Sequence, residues 1–202
     1  MKSPLRYQVS EFDCAPTSLL NALLYIFERE EIPASVVRNI ALYTLDCYNE
    51  DGEEGQLGTS RTAMHFVSNW LKQIAKIKKF PLECHYIGGK RVGFYEGSPL
   101  SACLKRGGAV VLRVWDETDH YILITSEEED YVRAFDPYYQ TEKFSEVDIE
   151  IVTGKLFSHN RIIPKRYFDS ESESIYAMGT AVNREALLFN RDEQTNFALK
   201  KK

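Results

Sequence analysis

The sequence predicts an α+β fold, in which helices from the first half of the chain pack on an antiparallel sheet formed by the second half. Apolar side chains recur at helical spacing before Gly108, and short runs rich in β-branched and aromatic residues follow it. Apolar residues make up 44% of the 202-residue chain, which is enough for one substantial core. Since helices followed by strands are typical of α+β proteins, we expect one domain over residues 1–202.

The first predicted helix is Cys14–Glu28. Its apolar residues cover more than one face, as expected of a helix that is buried on most sides. Asp13 and Pro16 are both common at a helix start, so Cys14 is expected in the first turn. A second helix is expected over Ser35–Leu45.

Two further helices follow a polar, glycine-bearing loop. The third is expected to begin near Thr59 or Ser60. Its apolar residues at helical spacing are Ala63, Phe66, Val67, Trp70, Leu71 and Ile74. The segment "SPLSACLKRGG" begins at Ser98 and has a serine cap, a proline in the first position and glycines at its end, so it predicts a short complete helix.

The second half predicts strands. The runs "AVVLRVW", "HYILITS" and "YVRAFDP" are short, apolar and separated by acidic or turn-forming residues, and Glu127–Asp130 is expected to form a hairpin turn. The segments Asp148–Thr153, Ile175–Gly179 and Glu185–Asn190 extend this pattern. We therefore expect residues 140–202 either to complete the sheet or to form a lid.

Composition argues against several classes of protein. The net charge of −5 disfavours general nucleic-acid binding, because affinity for phosphate backbones needs a concentrated basic surface. The chain shows neither a signal-peptide core nor a run of about 20 apolar residues, so we expect a cytoplasmic protein without a membrane span. The cysteines are spread singly, and the spacing of Cys84, His85 and His65 fits no familiar zinc site, so we expect reduced thiols and no metal.

Cys14 is a candidate nucleophile. A thiol becomes a useful nucleophile when it is held as a thiolate, which a helix N-terminus and a nearby imidazolium both favour. The predicted helix start supplies the first condition, and a histidine distant in sequence would supply the second. A cysteine in this place is, on its own, more often a small buried apolar residue, so its interpretation depends on the partners that the sequence offers.

His120 and Asp136 are the predicted partners of Cys14. His120 opens the run "HYILIT" directly after the turn-like "DETD", which places its ring at the rim of a sheet, whereas the other histidines have no comparable context. Asp136 ends the next strand, and a proline follows it. If the two strands pair as a hairpin, the two side chains become neighbours at one sheet edge, where a carboxylate can orient an imidazole.

Gln8 is the candidate oxyanion donor. The tetrahedral intermediate of acyl transfer needs preorganised hydrogen-bond donors, and the Gln8 amide precedes Cys14 closely enough to act beside the Cys14 N–H. This chemistry requires no cofactor, and none is expected. Trp115, Tyr138 and Tyr139 flank the predicted site and either line a substrate cleft or pack in the core, so the substrate-binding residues stay unassigned.

These motifs resemble those of a known family. The pattern Q-x5-C with an acidic residue before the cysteine and "PTS" after it, then "DHY" opening one strand and "DP" closing the next, is similar to the papain-like cysteine peptidases of the bacteriocin-processing family, which cleave double-glycine leader peptides. The resemblance covers residues 7–139. The chain would be a stand-alone member, since it has neither a membrane span nor the phosphate loop of an export ATPase.

The resemblance implies a papain-like fold and a role for each matching residue. Cys14 would be the nucleophile, His120 the general base and acid, Asp136 the group that orients its ring, and Gln8 the oxyanion donor. Ala15 departs from the pattern, because many members have glycine there.

The function predicted from these residues is that of a cysteine peptidase or amidase acting on a peptide or peptide-like substrate through an acyl-enzyme. Two alternatives stay open: a catalytically silent peptide-binding domain of the same fold, and an acyltransferase in which an amine resolves the acyl-enzyme. The sequence does not indicate the oligomeric state.

Overall fold

The computed structural model describes residues 1–146 and 148–192 and is built from helices and one antiparallel sheet. The helices are α1 (Cys14–Ile26), α2 (Ala34–Thr44), α3 (Arg61–Lys78), α4 (Pro99–Lys105) and α5 (Lys165–Phe168). The strands are β1 (Leu82–Gly88), β2 (Ala109–Asp116), β3 (Thr118–Glu127), β4 (Tyr131–Phe135), β5 (Glu150–Ile151), β6 (Arg161–Pro164) and β7 (Glu185–Arg191). The predicted α+β class is confirmed.

The predicted helix starts agree with the structure. The Ser60 hydroxyl caps α3 by accepting a hydrogen bond from the Ala63 N–H at 3.0 Å. The Ser98 hydroxyl caps α4 in the same way, with Pro99 in the first helical position. No helix among the described residues combines the length and the apolar character that crossing a membrane requires.

The sheet has the strand order β1-β7-β2-β3-β4-β6-β5. The strand β7 lies between β1 and β2 and pairs antiparallel with both of them. The sheet is therefore not confined to the second half of the chain, as the sequence had predicted, because β7 recruits β1 from the first half. The segment 140–192 contributes β5, β6 and β7 to this sheet, and residues 193–202 lie outside the described residues.

Both faces of the sheet are buried. Helices α1, α2 and α3 cover one face, where Val111 and Leu123 point into their cluster, and α4 and α5 cover the other, where Leu112 and Ile122 point. Successive side chains of a strand point to opposite faces, so a strand that is covered on both sides reads as a continuous apolar run. This burial explains "AVVLRVW" and "HYILIT".

The predicted strand over Ile175–Gly179 is wrong. Tyr176 has a φ of 59°, in the left-handed region, which interrupts an extended conformation. The segment instead forms a turn that makes two backbone hydrogen bonds of 2.8 Å with Trp115, at the end of β2. This turn brings the Tyr176 side chain under the sheet edge, where it is fully buried.

Gly108 allows β7 to approach the start of β2 closely, and its replacement is expected to destabilise the fold. A Cβ atom at this position would lie 2.0 Å from Asn190 Nδ2 and 2.4 Å from the Phe189 carbonyl oxygen. We expect Gly108→Ala to lower the free energy of unfolding by about 1–3 kcal/mol, measured by urea denaturation.

A matched control for this substitution is Gly88→Ala. The nearest atoms to its added Cβ lie at 3.5 Å, an ordinary contact distance. A loss of stability as large in Gly88→Ala as in Gly108→Ala would contradict the close-approach explanation.

Candidate active site

Cys14 is the first residue of α1 and is 7% exposed. The positive end of the helix dipole therefore acts on its side chain. Asp13 precedes it at the helix cap, but the Asp13 carboxylate accepts no backbone N–H of the first turn and takes only the Thr17 hydroxyl there, at 3.5 Å. It instead accepts hydrogen bonds from the backbone N–H groups of Val9 at 3.2 Å and Ser10 at 2.8 Å, and so holds the loop that leads into the helix.

Side-chain hydrogen bonds fasten α1 to the sheet. Ser18, one turn after Cys14, donates its hydroxyl to the Tyr121 carbonyl oxygen at 2.8 Å, next to His120. Asn21 bonds both backbone groups of Arg6 at 2.8 Å, which ties the N-terminal segment to the same helix. These bonds set the position of the helix start over the beginning of β3.

His120 lies near the start of β3 and is 6% exposed. Its Nε2 atom lies 2.8 Å from Asp136 Oδ1, and the Cys14 side chain is close enough to the ring to raise the His120 pKa. The structure thus places His120 and Asp136 in direct contact, with Cys14 near the same ring.

Asp136 follows β4 and is 1% exposed. Its Oδ1 accepts the Tyr138 N–H at 2.9 Å, and its Oδ2 accepts the Tyr176 hydroxyl at 2.8 Å. Asn160 bonds the Asp136 N–H and carbonyl oxygen, each at 2.8 Å. The side chain and backbone of Asp136 are therefore both held, so its carboxylate has a defined direction.

The pKa values of His120 and Asp136 are both shifted from their ordinary values. Burial acts to lower the pKa of His120, but the Asp136 charge, its hydrogen bond and the Cys14 side chain together raise that pKa well above its ordinary value. Burial acts to raise the pKa of Asp136, but His120 and the nearby Arg161 guanidinium leave it below its ordinary value. Both shifts favour an imidazolium paired with a carboxylate.

Sequence reasoning missed Tyr176, Asn160 and Arg161. Arg161 is 1% exposed, and its Nη2 donates to the Tyr138 carbonyl oxygen at 3.3 Å, so a buried cation stands behind the Asp136 loop. The polar pair Asn160 and Arg161 at the start of the short apolar strand β6 was a usable signal. Tyr176 lies in a segment whose residues predicted a strand, so nothing in the sequence pointed to its contact with Asp136.

Gln8 lies in the wall of a cleft that His120 also lines. Its backbone N–H donates to the Pro137 carbonyl oxygen at 2.9 Å, and its side-chain Nε2 donates to the Ser10 carbonyl oxygen at 2.9 Å. An amide nitrogen carries two N–H groups, so one of them is left for another acceptor. The Gln8 Oε1 atom is buried and has no hydrogen-bond partner among residues 1–146 and 148–192.

The cleft has a volume of about 910 Å³ and is open to solvent. Trp115, Tyr138 and Tyr139 line it, so they face a cleft and do not form part of a closed core. Tyr138 and Tyr139 are 40% and 65% exposed, so neither is a core residue.

Asp116, at the end of β2, is a further residue that the sequence did not single out. Asp116, His120 and Asp136 each bring one potential ligand atom within 4.8 Å of the others. Burial raises the pKa of the Asp116 carboxyl, and the Asp136 charge acts in the same direction. A second carboxyl group therefore stands beside the His120 and Asp136 pair.

Comparison with known proteins finds distant likeness among solved structures. No protein-family model matches the chain, and no curated protein matches it. Among solved structures, the chain is similar to a double glycine motif protease from an AMS/PCAT transporter, which was crystallised in complex with the leader peptide. The likeness has a TM-score of 0.46 at 12% identity and covers 93% of this chain and 91% of that chain. At this level it does not define the activity of the present chain.

Proposed function

We propose that the chain is a cysteine hydrolase that cleaves a peptide-type bond with Cys14, His120 and Asp136. The observation that carries the proposal is the buried contact of the His120 ring with the Asp136 carboxylate, with the Cys14 side chain close enough to act on the same ring. His120 and Gln8 line an open cleft, in which we place the substrate carbonyl.

In the first step, the Cys14 thiolate attacks the carbonyl carbon of the substrate. Because Nε2 of His120 is engaged with Asp136, we assign proton exchange with Cys14 to Nδ1. The His120 imidazolium then protonates the leaving amine, which leaves an acyl-enzyme on Cys14. In the second step, His120 takes a proton from water, and the hydroxide that forms releases the acid.

Two donors are proposed for the oxyanion of the tetrahedral intermediate. The first N–H groups of a helix have no acceptor within the helix, so the Cys14 N–H is suited to this role. The second is the remaining N–H of Gln8 Nε2, since the other one bonds Ser10. The order of Cys, His and Asp along the chain, with the thiol at a helix start and the other two at a sheet edge, fits a papain-like arrangement.

The proposal is tested by alkylation of the native protein with limiting iodoacetamide across pH, with mass spectrometry to identify the labelled cysteine. We expect selective labelling of Cys14 that persists below pH 7 and is lost in His120→Ala, because the imidazolium favours the thiolate. Cys84 and Cys103 serve as internal controls, since burial raises the pKa of these thiols to about 12 and about 11.

The opposite outcome is labelling of Cys14 that begins only near pH 8.5, as for an ordinary thiol. That result would reject an activated nucleophile and favour the silent peptide-binding alternative.

A further inference from the structure

We propose that the cleft selects peptides that carry positive charge next to the scissile bond, with an ammonium or guanidinium group seated at Asp116. This inference rests on the proposed hydrolase function and names the substrate class of the same site. The cleft is lined by both Gln8 and His120, so a substrate in reach of His120 must contact the rest of its lining.

The lining of the cleft is strongly acidic. It contains six carboxylates and one ammonium group: Glu11, Asp116, Glu117, Glu142, Glu146 and Glu173, with Lys143. Within the described part of the chain, none of these carboxylates forms an ion pair. Apart from Lys143 and the His120 ring, which acts on Asp116, the lining residues of the cleft carry no opposing charge, and a concave surface of one sign attracts ligands of the other.

Asp116 is the carboxylate best placed to meet a substrate group. It is partly buried, and one of its oxygens lies within 4.8 Å of a ring nitrogen of His120, where the reacting bond would be held. Burial removes water from this carboxyl and raises its pKa. A cation from the ligand would replace the lost hydration and favour the ionised form.

One other feature of the wall favours a cationic ligand. Trp115, Tyr138 and Tyr139 offer aromatic faces, which attract ammonium and guanidinium groups and pack against their apolar stems. An anionic group would not gain these contacts.

The test measures how fast Cys14 forms a mixed disulfide with each of two methanethiosulfonate reagents of opposite charge. The cationic reagent carries a trimethylammonium-ethyl group, and the anionic reagent carries a sulfonato-ethyl group. We expect the ratio of cationic to anionic rate constants at low salt to be about ten-fold higher in the wild type than in Asp116→Asn/Glu117→Gln. Raising the salt concentration should reduce this ratio.

The control variant is Glu129→Gln/Asp130→Asn, which changes net charge equally at the far end of β3, and it should keep the wild-type ratio. An equal ratio in the wild type and in Asp116→Asn/Glu117→Gln would overturn the inference. The rates of disulfide formation do not depend on peptide cleavage. If the cleft prefers the cationic reagent but the protein cleaves no peptide, only the hydrolase function is contradicted.

A second measurement uses a library of peptides of random sequence. Peptides cleaved by the wild type should be enriched in Lys or Arg near the cut, and Asp116→Asn should reduce this enrichment while leaving some cleavage of neutral peptides. Enrichment of acidic or neutral residues at the cut would overturn the inference even if the protein is an active hydrolase.

Discussion

Replacement of Cys14 by serine, or of His120 by alanine, is expected to reduce cleavage of a random peptide library by about 10⁴-fold or more. Groups that act together in an acyl-transfer triad lose almost all of their effect when one of them is removed. The measurement is the rate at which new peptide N-termini appear, followed by mass spectrometry at equal concentrations of folded protein.

The matched control is Cys47→Ser, because Cys47 is a partly exposed free thiol outside the candidate site. This variant should retain the wild-type rate. Cleavage that survives in Cys14→Ser would reject Cys14 as the nucleophile. A product that forms only when a primary amine is added would instead identify the acyltransferase alternative.

Replacement of Asp136 by alanine is expected to cost about 3–5 kcal/mol of unfolding free energy near neutral pH, since it leaves the buried His120 and Arg161 without their carboxylate. Asp136→Asn should cost less, because its amide oxygen can take the place of Oδ1 and accept the Tyr138 N–H, while its NH2 group can donate to the Tyr176 hydroxyl oxygen. In Asp136→Asn, the pKa of His120 should fall towards its ordinary value, measured by NMR titration of the imidazole.

The stability that this pair contributes has a defined pH range. The pKa of Asp136 is lowered from 3.8, so its contribution is present above about pH 3.8 and is lost as pH falls through the folded-state pKa. The pKa of His120 is raised above 6.5, so its contribution is complete below about pH 6.5 and is lost as pH rises through the folded-state pKa. The difference in unfolding free energy between wild type and Asp136→Asn should therefore be largest from about pH 4 to 6.5.

Tyr176→Phe is the control for this pair, because it removes one hydrogen bond to Asp136 and keeps both charges. It should cost about 1–3 kcal/mol with little change in the pH range. A stability difference between wild type and Asp136→Asn that did not vary with pH would reject the ionised pair.

The contact between the His120 and Asp136 side chains could be predicted, because it depends on two strands that are neighbours in the sequence. The acidic turn and the two apolar runs predict a hairpin, and β3 pairs with β4 so that Leu123 lies opposite Phe135. The start of one strand and the end of the other therefore share an edge. The position of Cys14 at a helix start could be predicted as well, because it follows from the residues directly around it.

The contacts that hold Asp136 could not be predicted, because they join it to segments that are distant in the sequence. Asn160 and Tyr176 are 24 and 40 residues away from it, and their contacts depend on where the later loops pack. The pairing of β7 with β1 is similarly a contact between two segments that are distant in the sequence.

Local patterns in the sequence thus determined the helices, most of the strands and the candidate residues Gln8, Cys14, His120 and Asp136, because turns, caps and apolar periodicity act over a few residues. Only the tertiary structure decided that Asp116 stands beside His120, that Arg161 lies behind the Asp136 loop and that acidic side chains from four separate segments face one cleft. These arrangements depend on long-range packing, in which burial and charge act between residues that no local pattern connects.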